Sequence, residues 1–302
     1  MGTKNFKKVF LVVNRFAGRR KKFFNEVIGV ISVLNKNGCE VKFSVTENPG
    51  HATQLASKAA KSGFDLVVAV GGDGTVNEVS RKLIGTATPV GIIPMGSGNG
   101  LGRDLGIPMK LKRSARAMIK RNTRQIDVCR FNSQQFLCTS GIGFDAQVAE
   151  KMKMAKSRGF LRYVQLTIKE SIAFKPFKIK MKVDGLLVDK PVFLVTFANA
   201  RQFGNNAFIA PKANISDGII DVVVVNPFPK IWLPVFGISL FLRIIHKLPF
   251  VEYYKAKKIE LEYSESCKYH FDGELGNFSI PAEIKVDEKK ILIAGAKQVD
   301  LN

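Results

Sequence analysis

Along residues 9–93, short unbroken apolar runs alternate with stretches whose apolar positions recur every three or four residues. The run at 9–13 (VFLVV) reads as a buried strand. Downstream, Phe23, Val27, Ile28, Ile31 and Leu34 recur at helical spacing, and Asn37-Gly38 supplies the stop. The same alternation predicts a strand at 40–45, a helix at 51–61 closing near Gly63, a strand at 66–70, a helix at 76–84 and a strand at 90–93. Strands joined through helices lie parallel, because a parallel neighbour is reached only by a crossover. Residues 1–127 are therefore expected to form an α/β nucleotide-binding domain built on a parallel sheet.

From residue 128 the texture changes. Segments 128–131, 135–139, 179–183, 192–198, 219–225, 258–263 and 283–286 are strand-like and mostly bounded by turn residues, with two helical insertions, 158–173 and one around 231–245. Short strands spaced in this way pair antiparallel, so residues 128–302 are expected to form a β-rich second domain. Neither an internal repeat nor a low-complexity linker interrupts the chain.

Charge narrows the partners. The formal net charge is +22 and the sequence pI about 9.9, so the surface carries a wide positive field. Nucleic acid, an anionic bilayer and a polyphosphate substrate all answer to it. Cys39, Cys129, Cys138 and Cys267 make no CxxC pair, and His51, His246 and His270 are scattered, so no zinc site or disulfide framework is readable. The basic N-terminus runs straight into an apolar strand too short for a signal sequence, and the expected location is cytoplasmic. The apolar stretch at 231–245 is broken by Pro234 and ended by Arg243 and His246, short of the roughly 20 residues that span a bilayer. It is either a buried helix of the second domain or a surface that touches a membrane without crossing it. The basic segment 151–162, with Met152, Met154, Phe160 and Leu161 interspersed, is open to the same two readings, a solvated helix or a membrane contact.

Candidate chemistry concentrates in the loops after the strands. In LVVAVGGDGTVNE, residues 66–78, Gly71, Gly72 and Gly74 clear space for backbone to approach a phosphate, and a helix starting near Thr75 adds free N–H groups. Asp73 beside a phosphate calls for Mg²⁺ between them, since a hard cation takes oxygens from both. A second glycine-rich loop at 94–102 (PMGSGNGLG) offers Ser97 and Asn99, and a first loop at 14–18 (NRFAG) follows another strand. Three strand ends thus meet on one rim, where ligands of open α/β sheets bind.

GGDGTVNEV, PMGSGNGLGRDLGIP, SDGIID at 216–221 and FDGE at 271–274 together resemble the diacylglycerol kinase catalytic family, which includes bacterial lipid kinases, sphingosine kinases and ceramide kinases. GGDG alone is shared with NAD kinases and phosphofructokinases; the four motifs in this order, spread over about 9–286, point to the lipid kinases. The resemblance implies an α/β domain followed by an antiparallel β-sandwich, with ATP between them. It implies nucleotide contacts at Asn14, Arg15, Phe16, Ala17 and Gly18, at Thr46, along Gly71, Gly72, Asp73, Gly74, Thr75, Val76, Asn77 and Glu78, and at Ser97. One departure stands out: where the family commonly has NPxSG, Asn14 to Gly18 lacks the proline and the hydroxyl. Arg19, Arg20, Lys21 and Lys22 follow, as phosphate-neutralising charge or as a solvated helix start. The implied metal ligands are Asn214, Asp217 and Ile219, one carboxylate and two main-chain carbonyls, although an Asp-Gly turn before a strand also accounts for Asp217. The implied general base is Glu274, with Asp272 and Asp73 as the other candidates.

The expectation is an ATP- and Mg²⁺-dependent lipid kinase that phosphorylates the hydroxyl of a membrane lipid such as diacylglycerol or a sphingoid lipid. It would be cytoplasmic, peripherally bound at an anionic membrane surface, and open to homodimer formation. A nucleic-acid binder lacks any helix-turn-helix, zinc-finger or RNP-type motif to support it. A kinase of a soluble substrate, NAD kinase-like, would share the GGDGT site but leave the apolar segment irrelevant.

Overall fold

The computed structural model describes residues 6–17, 23–120, 122–154, 160–266 and 268–297. The chain forms two units, residues 1–126 with 289–302, and residues 127–288.

In the first unit, with strands numbered along the chain, β1 (Lys8–Val13), β2 (Glu40–Val45), β3 (Leu66–Gly71) and β4 (Val90–Pro94) pair in parallel in the order β2-β1-β3-β4. They are connected through α1 (Phe23–Asn35), α2 (His51–Lys61) and α3 (Asp73–Ser80), and α4 (Gly100–Asp104) and α5 (Leu111–Lys120) follow β4. β3 and β4 are buried at every position because helices cover both faces of the sheet, which explains their unbroken apolar runs. Val27, Val30 and Leu34 of α1 share a core with Leu11, Val68 and Ile93 of the sheet. The helix expected at 76–84 begins instead at Asp73, directly after Gly72 in an extended conformation. That shift places the aspartate of GGDG in the first helical turn.

The sheet is completed by β5 (Arg124–Ile126) and by β18 (Ile291–Ala294), which lies between β4 and β5, parallel to the former and antiparallel to the latter. The grouping of 128–302 as one domain is corrected at this point. Ile291 and Ile293 are fully buried in the first unit, where their strand pairs the edge of β4 that would otherwise present unmet N–H and C=O groups.

The second unit holds two six-stranded antiparallel sheets. One has the order β10-β9-β14-β17-β6-β7, from β6 (Cys129–Phe131), β7 (Gln134–Phe136), β9 (Phe177–Val183), β10 (Leu186–Val192), β14 (Lys258–Ser264) and β17 (Ala282–Val286). The other has the order β13-β12-β11-β8-β15-β16, from β8 (Thr139–Gly143), β11 (Leu194–Ala198), β12 (Ile220–Val225), β13 (Val251–Ala256), β15 (Lys268–Phe271) and β16 (Glu274–Asn277). Ile179, Ile259 and Ile284 of the first meet Ile142, Phe197 and Val222 of the second, which makes a β-sandwich. β9 (FKIKMKV) alternates buried and more exposed positions because its sheet is covered on one face only. β12 (IDVVVV) is buried throughout, since its outer face is packed by Phe144 of α6 (Phe144–Met154) and Phe236 of α8 (Leu233–Leu242).

Besides α8 and α7 (Phe160–Ala173), α6 is a third helical insertion where two were expected. The single strand expected at 135–139 is two strands, because Leu137 and Cys138 between β7 and β8 turn their N–H groups to a side chain. Among the described residues, no helix is long and apolar enough to cross a membrane.

Candidate active site

Three loops leave the carboxyl ends of β1, β3 and β4 in the first unit, and their backbones are tied together before any side chain is considered. The Asn14 N–H donates to the Val70 carbonyl (3.0 Å) and the Met95 N–H to the Gly71 carbonyl (2.8 Å). Asn14 then links loop to helix: its Nδ2 donates to Thr75 Oγ1 (2.9 Å), and its Oδ1 accepts the Phe16 N–H (2.9 Å). The Ala17 N–H bonds the Asn14 carbonyl (3.1 Å), and the Arg15 guanidinium lies over the exposed Phe16 ring at 4.8 Å. Gly18 and the run 19–22 lie outside the described residues. Thr46, buried at the end of β2, bonds through its N–H to the Val13 carbonyl (2.8 Å) beside the first loop.

The glycines have a different immediate task from clearing a phosphate path. None of Gly71, Gly72, Gly96 or Gly98 has a left-handed backbone. A Cβ on Gly71 would stand 2.3 Å from Thr75 Oγ1, and one on Gly96 would stand 2.5 Å from the Gly72 Cα. Two loops therefore pack backbone on backbone, which only glycine allows. Gly96→Ala is expected to lower stability by about 1–3 kcal/mol, as overpacking does, and more than Gly72→Ala, whose added Cβ meets the Gly96 Cα at 3.1 Å. Melting curves of the two variants check this; equal and unchanged melting temperatures would show that the loops part freely.

Asp73 is half-buried at the start of α3. Burial pushes its carboxyl above the ordinary range, while the backbone N–H groups of Gly100, Asn99 and Leu101 at the start of α4 pull it back. The carboxylate of the first glycine loop thus grips the second. The first N–H of α3 to bond back along the helix is that of Val76, to Gly72 O (3.1 Å). The N–H groups of Gly74 and Thr75 have no acceptor within the helix, by its geometry. Ser97 is exposed at the tip of the second loop, and Val76 and Asn77 are buried behind the first. Glu78 faces elsewhere: its Oε2 accepts the N–H groups of Gly50 (3.0 Å) and Ala52 (3.2 Å) and so caps α2.

The remaining predicted residues are in the second unit. Asp272 and Gly273 both have positive φ and form the two-residue turn of the β15–β16 hairpin, for which Asp-Gly is a favoured pair. The Asp272 carboxylate accepts three backbone N–H groups, from Leu137 (2.7 Å), Cys138 (2.7 Å) and Thr139 (2.9 Å). Glu274, half-buried, opens β16 directly after the turn. In the Asn214 to Ile219 loop, the Asn214 carbonyl accepts the Ser216 N–H (2.8 Å) and Asp217 Oδ1 accepts the Ile219 N–H (3.1 Å). Burial pushes the Asp217 carboxyl up; the Ile219 N–H and Lys255 oppose this, and Asp127 adds to it.

Two residues escaped the sequence reading. Asn199, fully buried, donates to the carbonyls of Leu137 (2.7 Å) and Asp127 (3.0 Å), and Asp127 Oδ2 accepts the Gly218 N–H (2.6 Å). A buried polar chain thus runs from the Asp217 loop to the segment that Asp272 holds. The available signal was an acid and an amide set at the ends of apolar runs, in IDVC and FANA.

The diacylglycerol kinase catalytic domain family matches residues 8–131, and the YegS C-terminal NAD kinase beta sandwich-like domain matches residues 139–294. The chain is 28% identical over 292 residues to a diacylglycerol kinase of Bacillus subtilis, covering 92% of each. It is 29% identical over 266 residues to a diacylglycerol kinase of Mycobacterium tuberculosis, covering 85% of each. The crystal structure of a diacylglycerol kinase from Bacillus anthracis shares the fold with a TM-score of 0.77 at 23% identity, over 96% of this chain and 97% of that one. With both of its domains matched in order, this chain joins a diacylglycerol kinase catalytic domain to a C-terminal domain of the YegS family and is a kinase.

Proposed function

We propose that this kinase transfers the γ-phosphoryl group of ATP, with Mg²⁺, to the hydroxyl of a membrane lipid of the diacylglycerol or sphingoid type. The observation that carries the reading is the glycine cradle at the carboxyl edge of the parallel sheet, where Gly72 and Gly96 touch through backbone and Asp73 holds the second loop against the first. Gly74 and Thr75 present N–H groups at the start of α3, where anionic oxygens are stabilised. Asn14, Thr46 and Ser97 add polar groups around the same rim. The names of the relatives favour a lipid acceptor over a soluble one.

Asn214, Asp217 and Ile219 offer oxygen donors only, which suits a hard cation, and positive charge there would offset the burial that pushes the Asp217 carboxyl up. Among the described residues, no group of three or more His, Cys, Asp or Glu is arranged for a metal, so the main-chain carbonyls are part of the set. When bound, Mg²⁺ supplies charge against the phosphate oxygens. For proton removal we favour Glu274. The carboxylates of Asp73 and Asp272 are each engaged by several backbone N–H groups, which ties them to the segments they hold.

The test is incubation with γ-labelled ATP, Mg²⁺, a total lipid extract and, separately, NAD⁺. Label is expected in one lipid class and only with Mg²⁺ present. Label in NADP⁺ alone would replace this reading with the soluble-substrate one.

A further inference from the structure

α8 has the sequence LPVFGISLFL, apolar at every position but Ser239. A helix apolar all round is normally enclosed on all sides. Here, among the described residues, only one side is covered: Phe236 and Leu240 pack into the core behind β11 and β12, and Ser239 is buried. On the other side Val235, Ile238, Phe241 and Leu242 are exposed, Ile238 to 58% and Leu242 to 60%. The 3₁₀ turn that leads into the helix (Lys230–Trp232) extends this face with Ile231, 82% exposed, and Trp232, 39% exposed. The Lys230 ammonium donates to the Ile172 carbonyl, which fastens the end of α7 to the same turn and brings up the exposed Ile172, one helical turn after the exposed Ile168. Apolar surface gathered in this way marks an interaction site.

The charges around it select the partner. Residues 226–250 contain no Asp or Glu, while Lys230, Arg243 and Lys247 are all exposed. Arg243 ends the helix with a left-handed backbone, and its guanidinium lies 4.2 Å over the Phe208 ring at that end of the helix. A second copy would bring the same cations, and a net charge of +22, against this surface. Anionic headgroups neutralise the cations while the acyl region receives the side chains. A ten-residue helix is about 15 Å long, half of what a bilayer core requires but suited to lying in its interface.

We propose that the outward face of α8, with Ile231, Trp232 and the end of α7, docks this chain onto an anionic lipid leaflet. The purpose of docking rests on the lipid-kinase reading, so the test measures binding apart from turnover. Trp232 is the only tryptophan of the chain, so its emission reports on this face alone.

With vesicles of phosphatidylcholine and phosphatidylglycerol, the emission is expected to shift to the blue, and the shift to weaken with salt. The double variant Ile238→Asp/Leu242→Asp should lose at least about tenfold in vesicle affinity, and Lys247→Glu about fivefold on anionic vesicles. Melting temperature and phosphorylation of a short-chain, water-soluble diacylglycerol should stay as in wild type. An unmoved Trp232 emission on saturating vesicles overturns the proposal, as does wild-type vesicle binding by the double variant. A wild-type dimer in solution that the double variant breaks would place a second copy on the face and overturn it equally. Vesicle binding through this face without labelled lipid would support the docking and remove the acceptor assignment instead.

Discussion

Asp73→Asn is expected to reduce phosphoryl transfer at least about a hundredfold, while the fold survives, because a charge beside the proposed phosphate site is lost. The structure adds a reason to measure stability in the same experiment. The Asp73 carboxylate is held by the N–H groups of Gly100, Asn99 and Leu101, and an amide offers one acceptor oxygen and turns an NH₂ toward those donors. That loss costs about 1–3 kcal/mol. In the opposite direction, burial has already raised the Asp73 carboxyl, so its charged form is penalised near neutral pH and the neutral amide escapes the penalty. The two effects offset, and the melting temperature should move far less than the rate. Wild-type turnover in a folded Asp73→Asn protein would reduce Asp73 to a tie between two loops.

Glu274→Gln is expected to lower kcat by roughly 10²- to 10⁴-fold, the usual contribution of a general base, with the KM for ATP little changed. The comparison that gives this result meaning is Asp272→Asn. Asp272 has left-handed backbone at the hairpin turn, which asparagine also tolerates, so the turn itself should persist. Its carboxylate, however, satisfies three N–H groups, two between β7 and β8 and that of Thr139 at the start of β8, and an amide cannot replace all of them. The expected effect of Asp272→Asn is therefore a stability loss of about 1–3 kcal/mol, with any loss of kcat following the fraction unfolded. A large kcat loss at unchanged melting temperature in Asp272→Asn, beside a small one in Glu274→Gln, would transfer the base to Asp272. Small losses in both would return it to Asp73.

Local pattern was enough for much of this. The central strands β3 and β4 of the first unit were legible because each is an apolar run whose burial on both faces leaves no polar positions, and α1 carries a one-sided apolar stripe. The order of GGDGT, PMGSGNG, SDGIID and DGE marked the loops and turns of the candidate site, since glycine and Asp-Gly pairs leave signatures readable without neighbours. Four residues, ILIA, could not announce that they cross back into the first unit, because which edge a short strand pairs depends on an edge formed about 200 residues earlier. What the site carboxylates touch was also unreadable. Asp73, Glu78 and Asp272 look alike as acids in loops and helices, and only the folded chain determines that the first grips the start of α4, the second caps α2 and the third holds the β7–β8 connection. The same limit applies to α8: a segment apolar at nearly every position carries no mark of which side faces out. The sequence by itself determined which segments of the first unit are strands joined through crossover helices and where the glycine-rich loops and Asp-Gly turns fall. The home of the last strand, the partners of the carboxylates and the bare face of α8 were decided by tertiary structure, because each depends on contacts between segments far apart in the chain.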